Sequence, residues 1–186
     1  MSKMKTRKIP FTSPSLVARW PYINEPDTKF GGTPKFKCDL FLDDSKEATE
    51  LVERIKSCAE EWHGNKKGVT LPIGNDEAAG QEYLKTWTYN QPLVVDAEGN
   101  PIPPASLPRI RMGSQVRIQG SIAENTTIPG VRLEMRVIKI LELVESNSIP
   151  DEFKAVEGSY VAKHDDSVVE DAHNEEEPPA KKAASF

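Results

Sequence analysis

The segment Lys35-Phe36-Lys37-Cys38-Asp39-Leu40-Phe41-Leu42 alternates with a period of two, and a few residues later the period becomes helical. Successive side chains of a strand point to opposite faces. Phe36, Cys38, Leu40 and Leu42 therefore form an inward face, and Lys35, Lys37, Asp39 and Phe41 an outward one. From Ala48 the apolar residues fall at helical spacing instead: Leu51, Val52, Ile55, Cys58, Ala59 and Trp62 make one stripe. Asp44 with Glu47 three residues on reads as a capping box, and Gly64 as the stop. A strand feeding straight into a lone helix must be matched by other strands that complete the core, and the rest of the chain supplies them.

Ser15 to Ile23 reads as a strand with Leu16, Ala18, Trp20 and Tyr22 on one face and Arg19 on the other. Pro21 marks an edge or a bulge. Residues 24–34 form a loop, and the glycine-rich stretch 64–80 a longer one. Leu93-Val94-Val95 precedes the turn Asp96–Asn100, and residues 101–108 are proline-rich and extended. Val116, Ile118 and Ile122 line one face of a further strand. In the last strand Val131, Leu133, Met135 and Val137 point inward, with Arg132, Glu134 and Arg136 outward. Beyond Val137 both faces are apolar, so that end is expected to be covered twice, by the helix or by another subunit. Five or six short strands with one inserted helix predict a mainly β chain. A five-stranded barrel of the oligonucleotide-binding (OB) type fits, with the helix after the second strand.

The stretch Tyr83-Leu84-Lys85-Thr86-Trp87-Thr88-Tyr89 alternates in the reverse sense. Tyr83, Lys85, Trp87 and Tyr89 share a face, which is hard to bury because the ammonium must stay wet. Two readings follow. The face is a platform on which bases stack while the lysine meets a phosphate, or the aromatics cover the core and the lysine snorkels past them. On the first reading Lys35, Lys37, Arg109, Arg111 and Arg117 join the same groove, since an OB barrel binds single strands across its second and third strands.

The net charge of −5 alone argues against a nucleic-acid binder. Its distribution argues otherwise. Residues 145–186 hold four Lys/Arg against eleven Asp/Glu, whereas residues 1–144 hold twenty against eighteen. The body is slightly basic and the tail strongly acidic, a pattern of interaction tails. Residues 1–14 read as a basic irregular arm, 15–145 as the folded domain, and 146–186 as a disordered tail too poor in apolar residues to fold. Cys38 and Cys58 lie on apolar faces and read as buried free thiols. The basic N-terminus has no apolar run behind it, so no leader is expected, and no segment is long enough to span a bilayer. No catalytic set, phosphate loop or metal-ligand spacing is present in the sequence, so neither catalysis, cofactor nor metal is expected. The alternative is an interaction module that never touches DNA and works through its tail.

Several segments together resemble a known family. FTSPSLVARWPYINEPD, KFKCDLFL followed directly by SKEATELVERIKSCAEE, then LVVDAEGNPIP, GSQVRIQGSI and VRLEMRVIKILELV occur in an order and spacing similar to the single-stranded DNA-binding proteins of tailed bacteriophages. This is the replication type, with one OB domain and an acidic tail ending in phenylalanine, and the similarity spans most of residues 9–145. The resemblance implies sequence-independent binding and protection of single-stranded DNA in phage replication, recombination and repair. It also implies a place in the cytoplasm of the infected bacterial host, as a monomer or homodimer. The tail (Asp165, Asp166, Glu170, Asp171, Glu175, Glu176, Glu177 and Phe186) would then compete for the groove and recruit DNA polymerase and helicase–primase. The chain departs from the family where Pro178, Pro179, Lys181 and Lys182 separate the acids from Phe186.

Overall fold

The computed structural model describes residues 6–29, 32–64 and 66–144, all within one unit, Met1–Ser146. The acidic tail, and with it Asp165, Asp166, Glu170, Asp171, Glu175, Glu176, Glu177 and Phe186, lies outside the described residues. The elements in order are β1 (Lys8–Thr12), β2 (Leu16–Asp27), β3 (Lys35–Phe41), α1 (Lys46–His63), β4 (Ile73–Asp76), β5 (Gln81–Leu84), β6 (Thr86–Thr88), β7 (Leu93–Val95), β8 (Pro101–Ile102), β9 (Gln115–Glu124) and β10 (Val131–Glu142). The chain is mainly β with one helix, consistent with an OB-like fold.

Five of these strands pair in a closed circuit. β2 pairs β3 and β3 pairs β6, both antiparallel. β6 runs parallel to β10, β10 antiparallel to β9, and β9 antiparallel to β2. The circuit encloses the alternating apolar residues. Leu16, Ala18, Ile23, Cys38, Leu40, Leu84, Val116, Ile118, Ile122, Leu133 and Ile138 are all buried. Each fully buried leucine or isoleucine stabilises the fold by roughly 1.5–3 kcal/mol relative to exposure. The helix turns Ala48, Leu51, Ile55, Cys58, Ala59 and Trp62 inward and lies nearest β9 and β10. Both cysteines are free and buried, and burial pushes both thiols up.

The structure departs from the sequence reading at several places, each with a local cause. The first fourteen residues are not an irregular arm throughout, because Lys8–Thr12 adds an edge strand to β9. Phe11 supplies the reason, burying its ring in the core. The helix is capped by Ser45 rather than Asp44. The Ser45 hydroxyl oxygen accepts from the Ala48 N–H at 3.2 Å, and that hydroxyl in turn donates to Asp43 at 2.5 Å. Within the expected loop 64–80, Ile73–Asp76 forms a strand that hairpins onto β5. This hairpin helps cover the outer side of β3, so Asp39 and Phe41, read as outward, are buried.

Two bulges reset the alternation of the long strands. In β2 the partners step from Arg19↔Asp39 to Tyr22↔Lys37, so Trp20 and Pro21 stand against one residue of β3. An extra residue flips the following side chains to the other face. Trp20, expected inward, is 51 % exposed, and Ile23 takes the core position. In β10 the step from Met135↔Gly120 to Val137↔Gln119 leaves Arg136 as the extra residue. Ile138 and Ile140 then point inward in place of Val137. This accounts for the apolar residues on both faces of that end, which also pairs with β7 through Val137↔Leu93 and Ile138↔Val94.

Candidate nucleic-acid interface

The aromatic stretch is nearly one strand, broken at Lys85, whose N–H donates to the Pro72 carbonyl at 2.8 Å. Its alternation survives the break. Leu84 and Thr86 are buried, and the Thr86 hydroxyl donates to the Cys38 carbonyl at 2.6 Å. Tyr83, Lys85, Trp87 and Tyr89 stand on the other side and line one cleft of about 650 Å³. The β3–β6 register places Lys37 opposite Trp87, so Lys35 and Lys37 line the same cleft.

Within the cleft the cations lie on the rings. Trp87 and Tyr89 meet edge to face with centroids 5.1 Å apart. The Lys35 ammonium lies 4.5 Å from the Trp87 centroid and 5.5 Å from that of Tyr89. Lys37 lies 4.7 Å from the Tyr22 ring and meets Asp27 at 2.5 Å. Lys35 and Lys85 form no ion pair among the described residues. Each exposed cation–π contact is worth about 0.5–1 kcal/mol, enough to bias a rotamer and too little to hold the ammonium against a phosphate.

At one end of the cleft Arg19 is sandwiched between two rings. Its guanidinium carbon lies 3.8 Å from the Trp20 centroid and 3.9 Å from that of Tyr83. Two carboxylates hold it there, Asp76 at 2.8 Å and Asp39 at 3.3 Å. The Arg19 side chain is only 6 % exposed. Burial pushes the Asp39 carboxyl up to about 6, against the pull of Arg19, Lys37 and Lys85. The hydrogen bond from Arg19 and the N–H of Ala79 hold Asp76 below the usual carboxylate range. Gly74 lets the sandwich close, because a Cβ there would come within 2.4 Å of the Tyr83 ring. Trp20 has φ +45°, a conformation rare for a bulky residue and costing of order 1–3 kcal/mol.

Arg109 and Arg111 do not line this cleft. They line a second one of about 780 Å³ with Tyr22, Asn24, Met112 and Val144. Ile110 between them is buried, which turns both arginines outward. Trp20 lines both clefts. Arg117 lies apart, in a shallow groove with Ser13 and the Glu47, Glu50 and Arg54 side of α1. Arg19, Trp20 and Tyr22 were missed as site residues by sequence reasoning. Pro21 was the one signal, since it marks the bulge that turns Trp20 out.

Other polar groups are accounted for structurally. His63 is buried, and its Nε2 accepts the Gly130 N–H at 3.1 Å. Among the described residues no three His, Cys, Asp or Glu side chains are grouped to hold a metal, and no helix is long and apolar enough to cross a membrane.

No protein-family model matches the chain, and no curated protein matches its sequence. Solved structures do match. One is gp2.5, a single-stranded DNA-binding protein encoded by bacteriophage T7, at 21 % identity and a TM-score of 0.60, covering 84 % of this chain and all of that one. Another is the single-stranded DNA-binding protein from bacteriophage Enc34 with its C-terminus truncated, at 15 % identity and a TM-score of 0.59, covering 77 % of this chain and 94 % of that one. The Enc34 protein in complex with single-stranded DNA matches at 14 % identity and a TM-score of 0.58, covering 73 % and 88 %. The chain has the fold of these phage single-stranded DNA-binding proteins.

Proposed function

We propose that this chain binds single-stranded DNA without sequence preference, on a five-stranded OB barrel whose groove is the Tyr83–Tyr89 cleft. The observation that carries the reading is the joint placement of Tyr83, Trp87 and Tyr89 with Lys35, Lys37 and Lys85 in one open cleft. Flat rings accept any base, and the ammonium groups of Lys35 and Lys85, which form no ion pair among the described residues, accept phosphates. The shared fold supports it, since the Enc34 protein is known in complex with single-stranded DNA. The work follows from binding alone and needs no catalytic group. On this reading the protein coats and protects strands during phage replication, recombination and repair in the host cytoplasm. Its acidic tail competes for the groove when DNA is absent, and is the handle for polymerase and helicase–primase.

The test is a titration with oligothymidine at low salt, following tryptophan emission. Quenching that weakens with added salt supports the reading. No response from either the full chain or the chain lacking residues 150–186 overturns it in favour of an interaction module. Tighter binding by the truncated chain supports the competing tail, and unchanged or weaker binding removes that part of the proposal.

A further inference from the structure

The two clefts have separate linings that meet at Trp20. This indole is half exposed in the middle of a long strand, on a bulge, with a left-handed φ of +45°. Nothing about covering the core requires that arrangement, because Ile23 fills the inward position. The side of the ring facing the protein is taken by Arg19, which is locked by Asp39 and Asp76 and backed by Tyr83. The ring is therefore rigid, flat and directed at solvent between a cleft of rings and ammonium groups and a cleft holding Arg109 and Arg111. Neither arginine forms an ion pair among the described residues. Strained backbone of this kind persists only where the surroundings enforce it, and it gathers at functional sites.

We infer that Trp20 is a base-stacking ridge that carries one single strand from the Tyr83–Tyr89 cleft into the Arg109–Arg111 cleft, with Arg19 as its positioning residue. The inference rests on the proposed function and deepens it. A strand that stacks on Trp87 and Tyr89 meets Trp20 where the first cleft ends, and its next phosphates face Arg109 and Arg111. A continuous polyanion with flat bases fits this sequence of groups, since Trp87 and Tyr89 with Lys35 and Lys85 stand on one side of Trp20 and Arg109 and Arg111 on the other.

Full-length Trp87→Phe leaves Trp20 as the one solvent-facing indole, because Trp62 is buried. Oligothymidine of about 16 nucleotides, the upper end of what one such fold occupies, should quench its emission. Trp20→Leu, which still covers Arg19 but offers no flat ring, should weaken binding about tenfold, and Trp20→Phe should restore most of it. Arg109→Gln with Arg111→Gln should lower the salt slope by about 1.4, two single-strand phosphates' worth. If wild type binds while Trp20 emission stays unmoved in the Trp87→Phe chain and the slope is unchanged in the double arginine variant, the ridge is wrong and the first cleft stands alone. The quenching arm keeps Trp20 intact, so a folding defect of Trp20→Leu does not blunt it. If wild type itself fails to bind, the proposed function and the ridge fall together.

Discussion

The cluster of Arg7, Lys8 and Arg132 and the lysines of the Tyr83–Tyr89 cleft are both basic, and employ their charge differently. On the first, Arg7 meets Glu124 at 2.9 Å, Lys8 meets Glu134, and Arg132 meets Glu134 at 2.7 Å. On the second, Lys35 lies over Trp87 and Tyr89, and Lys37 lies over Tyr22 beside Asp27. A carboxylate satisfies a cation and leaves little for a ligand. A ring face only biases where the cation rests. The position of charge relative to its partners, rather than the net charge of −5, is what marks a surface for a polyanion.

Four measurements break or sharpen this contrast. The largest effect is expected at Arg19, where removing one member of a buried set leaves Asp39 unpaired. Arg19→Ala should lower the unfolding free energy by about 3 kcal/mol, read from denaturant midpoints. Arg7→Ala, on the exposed side, should move the midpoint far less, and equal shifts would dissolve the distinction. Next comes stacking. Trp87→Ala should cost about 1–3 kcal/mol of oligothymidine affinity, while Arg117→Gln leaves it unchanged. A matching loss at Arg117 would place the groove on the other face.

The third concerns salt. Lys35→Ala and Lys85→Ala should each reduce the slope of log K against log salt by about 0.7, and Lys8→Ala should not. Equal slopes for all three would mean that the ion pair with Glu134 does not withhold Lys8. The smallest effect concerns pH. Asp39 is protonated below about 6 and carries a charge above it. Lowering the pH from 7 to 5 removes one negative charge beside Arg19, Lys37 and Lys85, so binding should tighten a few-fold. Asp39→Asn should bind as the acidic form does and lose that part of the pH dependence. An unchanged pH profile in the variant would take Asp39 out of the cleft's electrostatics.

The sequence made the core of the fold readable wherever a strand kept its alternation. Residues 83–89 and 116–122 show their inward and outward sets directly, residues 36–42 show their inward set, and the helix shows its stripe. What it hid were single-residue insertions. The extra residue at Trp20 and Pro21 and the one at Arg136 each reverse the reading of everything after them, and pattern alone cannot locate a bulge to one position. The site split along the same line. Tyr83, Lys85, Trp87, Tyr89, Lys35 and Lys37 come together because Tyr83, Trp87, Lys35 and Lys37 lie on paired strands and Lys85 and Tyr89 directly beside them. Trp20 and Arg19 were invisible because their place follows from a bulge and from a hairpin in a stretch read as loop. Arg111 and Arg117 are a few residues apart in sequence, yet the tight turn before β9 sends them to different surfaces.

The closed strand circuit has a consequence for crowding. With five strands paired in a ring, the strands that pair a single neighbour among the described residues are β1, β4 and β8. Pro10 lies within β1, Pro72 directly before β4, and Pro101 opens β8. Proline offers no N–H to a neighbouring chain and is a natural guard of sheet edges. Neighbouring copies can then crowd together without their sheets fusing into aggregates.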